Sequence, residues 1–118
     1  MKSIVLIAAL LVIGCGGTER QANGPGGNSD HGKQLLTQYG CATCHNIPGI
    51  ETPKGMVGPS LEHLASRPMI SGKFPNDPET MSRWLQNPQS MDPQSTMPNI
   101  GVTPADARDM TAYLATLK

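Results

Sequence analysis

The sequence predicts an all-α fold, small, with short helices and long loops wrapped around a large group that the chain does not itself supply. Three observations lead there. The 118 residues include one Trp, one Phe and two Tyr against 13 Gly and 11 Pro. A single domain this small and this poor in large apolar side chains ordinarily needs a disulfide, a metal or a cofactor to close its centre. The apolar residues that do recur fall at helical spacing inside capped segments. Those segments are joined by irregular stretches of more than 12 residues, a length that in a compact domain usually carries function.

The chain opens with "MKSIVLIAALLVIGC". Lys2 precedes an apolar run from Ile4 to Ile13, too short for a membrane-spanning helix, which takes about 20 residues, and of the length of an export signal. "VIGC" at its end resembles the bacterial lipoprotein signal, which implies removal of residues 1–14 and lipidation of Cys15. Residues 15–29, with "GGTERQANGPGGNS", lack apolar periodicity and read as a flexible linker. The folded domain is expected over 30–118.

Within it, Ser29 and Asp30 are placed to cap a helix through "HGKQLLTQY", stopped by Gly40. The stretch 43–59 reads as loop. "SLEHLASR" allows a short helix ended by Pro68. Asp77 caps a clearer helix with Pro78 at its first position, an apolar face of Met81, Trp84 and Leu85, and an end at Pro88. "QSMDPQSTMPNIG" reads as irregular. Thr103 caps the last helix, with Pro104 first and Asp106 completing the box. Its stripe is Ala107, Met110, Tyr113, Leu114 and Leu117.

Nine Lys plus Arg balance nine Asp plus Glu, so no basic field suggests nucleic acid. The chemistry concentrates in "CATCH", residues 41 to 45. Cys-x-x-Cys-His is the attachment signal for c-type haem. The thiols of Cys41 and Cys44 add to the porphyrin vinyl groups, and His45 turns its imidazole to the iron. A thioredoxin-like pair would want a preceding strand, and none is a candidate. Zinc would need two more ligands, and only His31 and His63 remain, at unconvincing spacing. A plain disulfide leaves the missing core unexplained.

A sixth iron ligand must then come from Met56, Met69, Met81, Met91, Met97, Met110, His31 or His63. Met81 and Met110 sit on helical stripes and read as core. Met97, in an irregular loop stiffened by Pro98, is the favoured ligand, with Met91 in reserve.

With these residues in view, the chain resembles the mono-haem class I cytochromes c from Gly32 to Leu117. "GKQLLTQYGCATCH" is similar to the family's first helix and haem site, with Gly32 and Leu36 where that helix meets the last. In "GPSLEHLASR" the resemblance implies that the Pro59 carbonyl accepts from His45 Nδ1, that Leu61 packs on the haem and that Arg67 approaches the propionates. It also places Trp84 against the haem, Ser95 at a propionate and Met97 at the iron. Met110 and Tyr113 are expected to flank the haem.

Two protein ligands leave no open position on the iron, and the chain offers no base–nucleophile pair elsewhere. The expected function is one-electron transfer rather than enzymatic turnover, with no small-molecule substrate. Thioether opposite imidazole and a neutral pocket both raise a reduction potential. The expected setting is the cell envelope, with the haem domain outside the cytoplasm, a lipid anchor in the membrane, and redox proteins or a membrane respiratory complex as partners. Gly16 after Cys15 leans to the outer membrane. Two other uses fit the same residues: a fixed haem subunit of a larger membrane complex, and a haem enzyme or gas sensor whose Met97 dissociates.

Overall fold

The computed structural model describes residues 23–24, 26–51 and 55–118. The expected leader, Cys15 and most of the expected linker lie outside them. Helix α1 spans Ser29–Gln38, α2 Pro78–Gln86, α3 Pro88–Met91 and α4 Pro104–Leu114. Two-residue antiparallel pairs complete the elements: β1 Asn23–Gly24 with β2 Gly27–Asn28, and β3 Met69–Ile70 with β4 Phe74–Pro75. The fold is small and mostly helical, as expected.

The principal packing is of α4 on α1, with α2 next against α4. Leu35 and Leu36 of α1 and Ala107, Met110 and Leu114 of α4 are all buried. The crossing is close because Gly32 presents no side chain: a Cβ there would overlap the Asp109 carbonyl. Trp84 of α2 is buried and tilted against Phe74 of β4, ring centroids 6.0 Å apart. A pair of that geometry adds about 0.5–1.5 kcal/mol beyond its area.

The helix caps are where local sequence acts. Asp77 accepts from Thr80 N at 2.8 Å and Thr103 from Asp106 N at 3.2 Å, each followed by Pro in the first turn. At α1 the cap is Asn28, whose Oδ1 accepts from His31 N, so Ser29 and Asp30 are already helical. Asn28 N also donates to Asp109 Oδ1 at 2.8 Å. The chain therefore touches α4 before Asp30.

Two other stretches differ from expectation. "SLEHLASR" forms only a 3-10 turn at Leu64–Ser66. His63 sits at φ 57, and the flanking amides bond elsewhere: Leu61 N to Asn46 O, Ala65 N to Leu117 O. A continuous helix would turn the Ala65 amide onto the Leu61 carbonyl and give up its bond to Leu117. The loop after α2 is not irregular throughout, because Asn87 accepts from Ser90 N and Pro88 starts α3. Pro88 ends one helix and begins the next.

Candidate functional site

Gly40, at φ 74, turns the chain out of α1 into a 3-10 turn at Cys41–Thr43. The carbonyl of Cys41 accepts from both Cys44 N (3.2 Å) and His45 N (3.0 Å). This folds "CATCH" into one tight loop and brings Cys41, Cys44 and His45 to a single wall. Both cysteines are free and half-buried. Burial pushes the Cys41 thiol up, so it stays protonated.

His45 Nδ1 lies 2.7 Å from the carbonyl oxygen of Pro59. A carbonyl can only accept, so Nδ1 is the donor, and in the neutral ring the lone pair then lies on Nε2. The ring is also fixed from behind. A Cβ on Gly58 would stand 2.7 Å from His45 Nδ1 and closer still to Cε1, and Gly58 N donates to Cys44 O at 2.7 Å. Gly58 is required there by contact, and sequence reasoning passed over it.

The wall belongs to a cavity of about 520 Å³. Pro59, Leu61 and Arg67 line it from the chain after the haem-motif loop, Trp84 from α2, and Ser95 and Met97 from the loop after α3. The structure thus brings Cys41, Cys44, His45, Pro59, Leu61, Arg67, Trp84, Ser95 and Met97 to one cavity. Met91 is packed against the core but is not among the lining residues. Met110 and Tyr113, expected beside the cavity, are not there either. Met110 is fully buried, and the Tyr113 hydroxyl donates to Pro48 O at 2.6 Å. Leu114 is the residue of α4 that reaches the cavity.

The polar rim has its own bracing. One Arg67 nitrogen, Nη2, donates to the carbonyls of Ser60 and Glu62, both at 2.6 Å, leaving the other guanidinium donors uncommitted. Lys73, beside β4, pairs with the buried Asp92 at 2.7 Å. Asp92 in turn accepts from Gln94 N, and Ser95 N donates to its carbonyl. Lys73, Asp92 and Gln94 all line the cavity and went unread in the sequence. Nothing in their spacing points to a pair that closes only when β3–β4 meets the loop after α3.

An apolar cavity with two free thiols, an imidazole presenting Nε2 and a thioether on its walls fits a covalently held haem. The class defined by fold and site is a small helical haem-binding electron carrier. The family model for cytochrome c matches residues 29–118, and the chain belongs to the cytochrome c family. Members of this family carry electrons and are not enzymes. The chain is also 29% identical over 91 residues to cytochrome c oxidase subunit 2 of Alkalihalophilus pseudofirmus, across 76% of this chain and 26% of that protein. It therefore spans about a quarter of that relative's length.

Proposed function

We propose that the protein is a one-electron carrier holding a single haem c, bound covalently through Cys41 and Cys44 and ligated by His45 and Met97. The observation that carries this reading is the convergence of both thiols, the imidazole and the Met97 loop on one cavity of about 520 Å³. When bound, the haem supplies the one-electron couple. The residues around it orient and enclose. Pro59 holds the His45 ring, Arg67 and Ser95 offer donors to the propionates, and Trp84 and Leu61 keep water from the porphyrin face. A neutral thioether ligand, with the half-buried Met97 in that role, would favour the reduced state.

The carrier is tethered to a membrane through a lipidated Cys15 after removal of residues 1–14, and works in the cell envelope with redox proteins of that membrane. The described helices include none long and apolar enough to cross a bilayer. A second reading draws support from the similarity to an oxidase subunit: the domain serves as a fixed haem c subunit of a larger membrane complex. Intact-mass and visible spectra of the native protein test both. One haem added by mass, a far-red thioether-to-iron band lost in Met97→Ala, and a diacyl adduct at Cys15 are expected. Absence of the haem increment would overturn the central reading; co-purifying subunits would favour the second.

A further inference from the structure

Residues 44–46 and 58–61 lie side by side and in step. Gly58 N donates to Cys44 O at 2.7 Å and Leu61 N to Asn46 O at 2.8 Å, and between these two rungs His45 Nδ1 donates to Pro59 O at 2.7 Å. The middle bond is the vulnerable one. Pro59 is exposed and His45 half-buried, so water can compete for the carbonyl and for the ring proton. Pro59 also has no N–H with which to fix its own backbone. Its carbonyl shares one peptide plane with Ser60 N, so whatever holds Ser60 also aims that carbonyl.

Ser60 is held by the residue next to the imidazole. Asn46 Nδ2 donates to Ser60 Oγ at 3.1 Å and to Glu62 Oε1 at 3.2 Å. A carboxylate only accepts, which turns the amide nitrogen of Asn46 toward this side. Ser60 Oγ also accepts from Glu62 N at 3.3 Å, and Ser60 O accepts from Arg67 Nη2 at 2.6 Å. Asn46 therefore grips the facing segment twice, through its carbonyl at Leu61 and through its side chain at Ser60. Neither Asn46 nor Ser60 is among the residues lining the haem cavity, so any effect they have on the haem passes through His45.

We propose that Asn46 is a positioning residue for the proposed iron ligand: through Ser60 it aims the Pro59 carbonyl at His45 Nδ1, and so sets how strongly the imidazole donates. The proposal rests on the reading of His45 as an axial ligand of haem c. A ligating imidazole that gives its other N–H to a carbonyl is oriented by it and made more basic. A more basic ligand stabilises ferric iron, which carries the extra positive charge. Freeing the Pro59 carbonyl should therefore raise the reduction potential.

The test uses the haem-loaded full chain. Solvent exchange of the His45 ring N–H is followed by NMR in the reduced protein, and the ratio of oxidised to reduced protein is read at a fixed applied potential. Asn46→Leu keeps the size and removes the donor. It should speed ring N–H exchange by about tenfold, the worth of one net hydrogen bond, and move the ratio roughly threefold toward the reduced form. Ser60→Ala should reproduce both effects, and the double variant should add nothing to either single one. Asn46→Asp with Glu62→Gln exchanges donor for acceptor at constant net charge, and should return ring exchange to the wild-type rate. Backbone amide exchange in α1 and α4, unchanged throughout, separates positioning from general loosening. Wild-type ring exchange in Asn46→Leu or in Ser60→Ala, with haem bound, overturns the proposal, as does additivity of the two changes. A wild-type chain without haem would instead sink the reading on which the proposal rests.

Discussion

The Gln89 side-chain amide donates to the backbone carbonyl of Met97 at 2.5 Å, and the same nitrogen lies 3.3 Å from the carbonyl of Ser95. Gln89 stands on α3, so this one-turn helix is tied to the loop that carries the proposed iron ligand. Ser95 Oγ accepts from Met97 N at 3.2 Å. The backbone of Met97 is held on both sides.

Gln89→Leu keeps the volume and removes both donors. A neutral hydrogen bond contributes about 0.5–1.5 kcal/mol net. Loss of this pair should ease opening of the loop by roughly tenfold, since 1.4 kcal/mol is one decade. Stopped-flow binding of imidazole to the ferric protein measures that opening. An unchanged rate would show that Gln89 does not restrain Met97.

Gly58→Ala should act at His45, the other proposed iron ligand. The added methyl would press on the His45 ring, whose backing is the backbone of Gly58 itself. Either the ring turns and its bond to Pro59 O fails, or the 58–59 backbone moves. We expect poor haem incorporation and a stability loss of about 1–3 kcal/mol, the usual cost of overpacking. Normal yield with an unshifted reduction potential would refute the contact.

Asp92 and Asp109 are two of the carboxylates that shape the acid side of the stability curve, with Asp77, held down by Thr80, a third. The Lys73 ammonium, hydrogen-bonded to Asp92, holds that carboxyl below its ordinary value, with Gln94 N–H adding to it. The His31 ring, followed by Asn28 N–H, does the same for Asp109. A depressed carboxyl contributes stability that is complete above its unfolded pKa of about 3.9 and is lost as pH falls through the lower folded value. Lys73→Met should therefore be less stable than wild type near neutrality, with the gap closing below about pH 4. Denaturant midpoints from pH 6 to pH 2.5 would show it. A gap constant across that range would mean the ion pair is not its source.

What the sequence made legible was set by chemistry local in the chain. Pro78 after Asp77 and Pro104 after Thr103 act within a few residues, and each begins the helix expected, while "CATCH" is read from its own spacing. The contacts that escaped are long-range or depend on shape. Gly58 is needed by a ring 13 positions earlier, Lys73 meets Asp92 across two loops, and Gln89 reads as an ordinary polar residue until α3 exists. "SLEHLASR" misled for the same reason: its amides serve Asn46 and Leu117 rather than one another.

The size of the haem cavity bears on folding. The cavity opens to solvent and is lined largely by apolar side chains, so without the haem those side chains face water and the burial that would stabilise the core is lost. Whole domains are stable by about 5–15 kcal/mol, and small ones sit at the low end. The chain without its haem should not hold this shape. Cys41→Ala with Cys44→Ala is expected to give little native helicity and no cooperative thermal transition by circular dichroism. A cooperative transition in that variant would show that the polypeptide closes its own core.

The mouth of the cavity carries a last prediction, on how partners are met. Val57 and Met69 line the cavity while remaining 84% and 40% exposed, with Pro98 also exposed beside Met97. The stretches "TQYGCAT" and "PQSTMPN" around the thiols and Met97 contain no charged side chain. Lys73, at the cavity edge, is neutralised by Asp92. Lys33 is not among the lining residues, and Lys54 lies outside the described ones. No basic ring therefore surrounds the opening among the described residues. Steering by opposite charge is strong at low salt and fades as the Debye length falls from about 30 Å at 0.01 M to about 8 Å at 0.15 M. An apolar contact lacks that dependence, and a tether that confines both partners to one membrane raises their effective concentration enough for weak docking to suffice. Electron transfer to a membrane partner, followed by stopped-flow over that salt range, should change by less than about threefold. A fall of tenfold or more would mean that charges outside this mouth govern the encounter.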